Sequence, residues 1–582
     1  MIHLQGAILG PVSDGGFCAL RQAGAFAPKM LEMVPGVKWS KQWKRYYIPA
    51  NMLPANLDAL VEPRARRAPS GLIHRPYQNQ TVEFLYQAVR GALVALDMGL
   101  GKTASIIQYL HENPHLRPFL ICGPVIAEGA WVGEAADPAR HYGMKVTPLR
   151  SRSPNDEKFG SKGQGRPDGY FMSYEVVDNW DLWISEMMKP AVLIMDEIHE
   201  LRNPRRRTSK AVKSVSRMSC VKLRIGATGT PVVNTISDLW NILDILQPGM
   251  WGPWVTYDGC KTSFRARYLG AHLNDQGWWL DEGETNVKEL RMRLSSVMIR
   301  RSRFEVRKDL PDMWRQVTEV TPEALDPTAY ADYRENAKSV YAALKQQASL
   351  EAQAKLLNEK PDVLAKMNAH EIRRLGAMAS KLSWAKRKLA VDKALSMARG
   401  LPSRKLVVFC YYQETAKYIA KALKAEGQMV YGPVTGQTTI KRRLRLAEQF
   451  RDVVDDTGNR RSFYVATIKA AGQALNPLSA AGGELFVDMY WVPYLFLQAE
   501  ARVHREGQKA GDVYIDYLVL RNSIDTIMWE HLQKKAKAIE AGTRDGEALK
   551  FCEELGGKNE AEGQKALLED LAALDLEELE LL

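Results

Sequence analysis

Leu96-Asp97-Met98-Gly99-Leu100-Gly101-Lys102-Thr103, LDMGLGKT, decides how the chain is read. It ends as a phosphate-binding loop does. The strict pattern G-x-x-x-x-G-K-[ST] nevertheless fails, because Leu96 stands at its first position. Context supplies what the pattern lacks. ALVALDM is an apolar run of strand length, GLGKT a turn, and ASIIQYLHE an amphipathic helix. Glycines let backbone N–H groups face phosphates, and a helix N-terminus adds positive potential. Gly99 and Gly101 then shape the turn, Lys102 reaches the terminal phosphates, and the Thr103 hydroxyl ligates Mg2+.

The second half of the site is AVLIMDEIH, from Ala191 to His199. An apolar strand delivers two adjacent carboxylates at its C-terminal end, where ligands bind in open α/β sheets. Asp196 is read as the Mg2+ ligand. Glu197, beside it at the metal, orients and deprotonates the attacking water. A strand followed by a polar turn would explain the pair alone, but not with LGKT upstream.

Working outward, short apolar runs alternate with amphipathic stretches from Leu72 onward: FLICG, YFMSY, AVLIMDE and LRIGATGTP each precede a helix. The alternation returns after Lys405 with KLVVFCYY, SFYVAT, ELFVDMYW and DVYIDYLVL. It predicts parallel sheets covered on both faces. The expected class is α/β, with lobes over 71–320 and 401–540. A helical insertion over 321–400 lies between them, a small accessory domain fills 1–70, and an acidic tail fills 541–582.

The 582 residues are 46% hydrophobic and 25% charged, an ordinary globular balance for which length suggests three or four domains. No apolar run approaches the ~18–20 residues of a membrane span, and MIHLQGAILG lacks the basic start of a secretory leader. No membrane partner is expected. The six cysteines are scattered without a C-x-x-C pair, so free thiols are expected rather than disulfides or a structural metal. Net charge is +12. The stretch from Ala541 on holds 12 acidic and 4 basic residues, a balance of −8 that leaves +20 on the rest. A basic body suits a polyanion, nucleic acid first.

DMGLGKT, DEIH and GATGTP, in that order, resemble superfamily-two helicases, and MGLGKT with DEIHELRNP resembles the Swi/Snf branch. That branch also lacks Gly at the first loop position; it usually has an acid there, which Asp97 supplies one place later. RPYQ (Arg75 to Gln78) resembles the adenine-recognising Q motif, and MIRRSRFEVRKDLP the segment that closes the first lobe. KLVVFCYYQETA, ATIKAAGQALNPLSAA and QAEARVHREGQ resemble motifs IV, V and VI. Together these matches cover about 75–540. The resemblance implies two RecA-like lobes, ATP with Mg2+, and Arg505 as an arginine finger. Arg502 stands beside it on one helix face, and Gln498 positions water or phosphate. Catalysis is then expected to need closure of the lobes over ATP. Ala471, Gln473 and Ala474 depart from the Gly, Leu and Gly common in motif V, and WVP (Trp491 to Pro493) from WNP.

By the same resemblance, DNA contacts fall on Trp131 in GPVIAEGAW, Ser173 in SYE, Thr228 and Thr230 in motif III, and Thr467 and Lys469 in motif V. Such contacts position a duplex without reading its bases. Arg205 to Arg207 and Lys441 to Arg443 read as further DNA charge or as solvated surface. KWSKQWKRYY reads as a base-stacking segment or as a small domain with Trp39 and Trp43 in its core. PGVKW, from Pro35 to Trp39 and overlapping it, more loosely resembles the P-G-x-x-W of accessory segments of annealing helicases, the HARP branch. The tail reads as a docking helix for a protein partner or as a frayed, solvated helix. The expectation is a compact ATP-dependent translocase on duplex or forked DNA. A strand-separating helicase, an RNA-stimulated motor and a non-catalytic ATP switch are the alternatives. Prokaryotic or viral-host cytoplasm is the expected setting, with the nucleus as the alternative.

Overall fold

The computed structural model describes residues 64–88, 90–154, 166–229, 231, 236–255, 263–273, 279–280, 285–307, 309–339, 376–454, 460–471, 476–489, 493–505, 507–520, 523–526 and 528–529. In the first 48 residues it describes five strands: β1 (Ile2–Leu4), β2 (Ala7–Pro11), β3 (Phe17–Gln22), β4 (Lys38–Ser40) and β5 (Arg45–Ile48). They form one antiparallel sheet in the order β1-β2-β3-β5-β4, with Trp39 opposite Tyr46. Trp43, Thr230, residues 472–475 and 490–492, Glu506 and the acidic tail lie outside the described residues. The chain divides into two compact units, 1–306 and 307–540.

The first unit contains a seven-stranded, all-parallel sheet. Its strands are β6 (Gly91–Leu96), β7 (Phe119–Gly123), β8 (Val146–Leu149), β9 (Gly169–Ser173), β10 (Val192–Asp196), β11 (Leu223–Ala227) and, after the short ribbon of β12 (His272–Leu273) and β13 (Trp279–Leu280), β14 (Met298–Arg301). Every residue of β6, β7 and β11 is buried, the mark of strands covered on both faces. The order is β14-β6-β11-β10-β7-β9-β8. Consecutive strands β6 and β7 are therefore separated by β11 and β10. The C-terminal ends of β6, β11, β10, β7 and β9 stand side by side, so loops distant in sequence share one edge. Helices α1 (Pro76–Gln87), α2 (Lys102–Glu112) and α3 (Glu128–Trp131) belong to this unit.

The second unit is built on a six-stranded, all-parallel sheet of β15 (Asp312–Val320), β16 (Lys405–Cys410), β17 (Met429–Val434), β18 (Ser462–Thr467), β19 (Gly483–Phe486) and β20 (Asp512–Leu520). Their order is β15-β20-β19-β16-β18-β17. Helices α4 (Arg387–Gly400), α5 (Gln413–Ala425), α6 (Ile440–Asp452) and α7 (Pro493–Val503) accompany it. Helix α5 buries Thr415, Ala416, Ile419, Ala420 and Leu423, a stripe at helical spacing. Two parallel α/β sheets thus bear out the expected fold class, but the expected lobe boundaries shift. The first lobe was expected to run to 320, whereas β15 pairs along its whole length with β20. The described helices within 321–400 likewise pack on the second sheet. Lys386 donates to the Asp525 carboxylate at 2.8 Å, and Lys393 reaches Asp516 at 2.8 Å.

Strand β15 is fixed by a buried ion pair. Arg315 donates from Nε and Nη2 to the two oxygens of Glu500 on α7, each at 2.8 Å, and the Tyr517 hydroxyl donates to the same carboxylate at 2.6 Å. Both charged side chains are fully buried. Among the described residues no helix is long and apolar enough to cross a membrane. The described cysteines Cys122, Cys220 and Cys410 are free. Glu500→Leu should strand the Arg315 charge and destabilise the second unit by about 3–5 kcal/mol in chemical denaturation. Adding Arg315→Met should recover most of that loss.

Candidate nucleotide site

The loop after β6 turns twice through the left-handed region, at Gly99 (φ 80°) and Gly101 (φ 76°). L-residues with a Cβ rarely adopt that conformation. A Cβ at Gly101 would also lie 2.3 Å from Gln78 Nε2. The Gln78 amide therefore rests on the turn: its Nε2 donates to the Leu100 carbonyl at 3.2 Å, and its Oε1 accepts the Arg75 backbone N–H at 2.9 Å. The Q-motif residues and the loop thus form one structure at the start of α1. Lys102 and Thr103 open α2, so the unpaired N–H groups of its first turn face the loop. The Lys102 ammonium donates to the carbonyls of Leu96 (2.8 Å) and Asp97 (3.3 Å). Desolvation pulls its pKa below the ordinary lysine value, while Glu197, Asp196 and Asp97 pull it back up.

Asp97 has a different task from the loop acid expected of it. It is buried, its carboxylate pairs with Arg300 at 2.5 Å, and it accepts the Arg303 backbone N–H at 2.8 Å. Its own N–H donates to the Arg301 carbonyl at 3.1 Å. The segment after Met298 is thereby tied to the base of the loop.

Asp196 ends β10, and Glu197 follows with a left-handed backbone (φ 49°). The Glu197 backbone N–H donates to Asp196 Oδ1 at 3.0 Å, the Trp131 indole Nε1 to Asp196 Oδ2 at 2.8 Å, and the Tyr174 hydroxyl to the Asp196 carbonyl at 2.7 Å. Burial, and then the charge of Glu197, push the Asp196 carboxyl above the usual aspartate range; the Trp131 bond and Lys102 oppose this. His199 Nδ1 lies 3.2 Å from Glu197 Oε2 and 3.0 Å from the Thr228 hydroxyl. Thr228 follows β11, which runs between β6 and β10, so it stands between the loop and the carboxylates.

Among the described residues no group of three or more His, Cys, Asp or Glu could hold a metal ion. A Mg2+ site completed by substrate phosphates and water needs only one or two carboxylates. A desolvated carboxylate whose pKa is raised by a like charge gains from a cation. Glycine turn, helix N-terminus, lysine, hydroxyl and paired carboxylates therefore fit a nucleoside triphosphate with its divalent cation.

Three residues expected at DNA lie inside the protein. Trp131 is 1% exposed and bonded to Asp196, and Thr228 is wholly buried against His199. Thr467, at the end of β18, is 5% exposed. Ser173 is half-buried at the end of β9, and Lys469 is exposed, its ammonium 2.8 Å from the Tyr411 hydroxyl. Arg443 is not surface charge. Its guanidinium donates to the carbonyls of Thr435, Gly436, Thr438 and Ala470, holding two loops together.

In the second unit, Gln498 and Arg502 lie on α7, but Arg505 does not share its face. The helix stops at Val503, where Gln508 Nε2 donates to the Val503 carbonyl at 3.1 Å and to the Ala481 carbonyl at 2.8 Å. Gly507, at φ 89°, turns the chain away. Arg502 and Arg505 are half-buried. Sequence reasoning gave no role to His199 or to the Tyr174 hydroxyl. A histidine after DE and an aromatic after a strand were the available signals.

Comparison with known proteins fits this site. Residues 77–394, more than half of the chain, match the model of the SNF2-related domain. The chain is 26% identical over 465 residues to a Xenopus tropicalis protein, "SWI/SNF-related matrix-associated actin-dependent regulator of chromatin subfamily A-like protein 1", covering 80% of this chain and 44% of that one. It is 26% identical over 491 residues to the human "DNA annealing helicase and endonuclease ZRANB3", covering 83% and 41%. The chain thus spans less than half the length of these relatives. A solved SWI2/SNF2 ATPase core from Sulfolobus solfataricus in complex with dsDNA aligns over 86% of this chain and all of that one, at 20% identity and a TM-score of 0.36. On the family match, together with two parallel α/β lobes and this nucleotide loop, the chain belongs to the SNF2-related family of ATPases.

Proposed function

We propose that the chain hydrolyses ATP and couples the reaction to movement along duplex or forked DNA, annealing strands, remodelling forks or displacing bound proteins. The observation that carries this reading is the meeting of the Gly99–Thr103 loop with Asp196 and Glu197 at one sheet edge, where Lys102 feels the charge of both carboxylates.

In this reading the first-turn N–H groups of α2 and the Lys102 ammonium receive the triphosphate, and Arg75 and Gln78 sit where the base is held. Thr103 and Asp196, with Glu197 beside them, would hold Mg2+. When bound, Mg2+ neutralises charge on the phosphate oxygens. Glu197 orients water and takes its proton, with His199 beside it. Arg505 supplies positive charge to the transition state, with Arg502 and Gln498 supporting it. Ser173, Lys469 and Thr230 are proposed to contact the DNA backbone, which makes binding independent of base sequence and sensitive to salt.

Lys102→Ala should abolish turnover and weaken ATP binding in equilibrium titration. Glu197→Gln should abolish turnover and leave binding in place. Arg505→Ala should lower kcat by a factor on the order of 10³ or more while ATP still binds. Lys469→Ala should weaken duplex binding evenly across sequences and reduce the slope of log K against log salt by about 1 in fluorescence anisotropy.

A further inference from the structure

We infer that Trp131 is a positioning residue for Asp196, with Tyr174 as its second support: together they set the aim of the carboxylate proposed to hold the metal. The inference rests on the proposed ATP reaction and deepens it.

Asp196 is held at three atoms, by its own next residue and by two other segments. Its Oδ1 takes the next residue's N–H at 3.0 Å, its Oδ2 the Trp131 indole at 2.8 Å, and its carbonyl the Tyr174 hydroxyl at 2.7 Å. The two aromatic donors come from the segments that follow β7 and β9. In the sheet β10, β7 and β9 are successive neighbours, so both segments reach the same strand end. The fit is close: a Cβ on Gly123, the last residue of β7, would lie 3.3 Å from the Asp196 Cβ.

Trp131 is 1% exposed and Tyr174 is 4% exposed. A buried indole N–H or phenol hydroxyl needs an acceptor. The indole is spent on the carboxylate itself, and the phenol on the backbone carbonyl of the residue that carries it. An aspartate held this way presents its remaining lone pairs in one direction, which is the work of an outer-shell partner at a metal site. The segment GPVIAEGAW therefore serves the nucleotide site from within.

The test is equilibrium binding of a fluorescent ATP analogue, mant-ATP, to the full chain, in EDTA and across a Mg2+ titration. Trp131→Phe keeps the ring and removes the N–H. Trp180→Phe is the control, because Trp180 is equally buried but donates to the Ser151 carbonyl at 3.1 Å. Trp131→Phe should leave binding in EDTA within about twofold of the parent and raise the Mg2+ midpoint by about 10-fold or more. Trp180→Phe should leave that midpoint in place. Tyr174→Phe, which loses one hydroxyl, should move it in the same direction as Trp131→Phe and serves if Trp131→Phe misfolds. An unchanged midpoint in both Trp131→Phe and Tyr174→Phe overturns the inference, as does an equal shift in Trp180→Phe. If the parent chain binds mant-ATP with no Mg2+ dependence, the proposed ATP reaction itself fails.

Discussion

Two adjacent carboxylates at the end of a buried strand repel each other and lose water, and the first lobe is organised around that constraint. Glu197 takes a left-handed backbone, and its own N–H donates to Asp196 Oδ1. Asp196 is then satisfied by three donors, and Glu197 has His199 beside it at 3.2 Å. Lys102 completes the balance from the neighbouring loop, with its own charge disfavoured by burial and favoured by the pair. Each group is costly alone. Together they form a site whose remaining electrostatic demand is for a cation and a polyanion.

The second lobe shows the same economy in a different form. The Arg315–Glu500 pair lies wholly inside the protein, and Tyr517 supplies one more donor to the carboxylate. Burying such a pair is neutral for stability at best, and removing one partner is severe. Its placement has a consequence: it joins β15, the first strand of the unit, to α7, which carries Gln498 and Arg502. His504 reinforces the link, with Nε2 2.8 Å from the Pro311 carbonyl.

Much of the site was legible in the sequence. LDMGLGKT and AVLIMDEIH each pair an apolar strand with its chemistry in one short segment, so local pattern suffices to find them. The parallel sheets were legible for the same reason, through strand–helix alternation. What escaped depends on strand order. Nothing in GPVIAEGAW says that β7 lies beside β10, so Trp131 reads as a DNA contact until the sheet is known. Thr228 is hidden likewise, because β11 runs between the loop strand and the carboxylate strand. The end of α7 escaped for another reason. QAEARVHREGQ has helical spacing throughout, and the stop comes from Gln508 reaching back to Val503 and Ala481. Strand β15 was not read at all, because DMWRQVTEV buries only Arg315 and Val320 and offers no apolar run.

The most direct test of the account is the steady-state ATPase rate of the full chain with no nucleic acid, single-stranded DNA, duplex DNA, forked DNA and RNA in turn. The account predicts strong stimulation by duplex or forked DNA, and little by RNA. Stimulation chiefly by single strands would contradict movement on duplex DNA and favour a strand-separating helicase. A rate that no nucleic acid raises would contradict the coupling of ATP hydrolysis to DNA altogether.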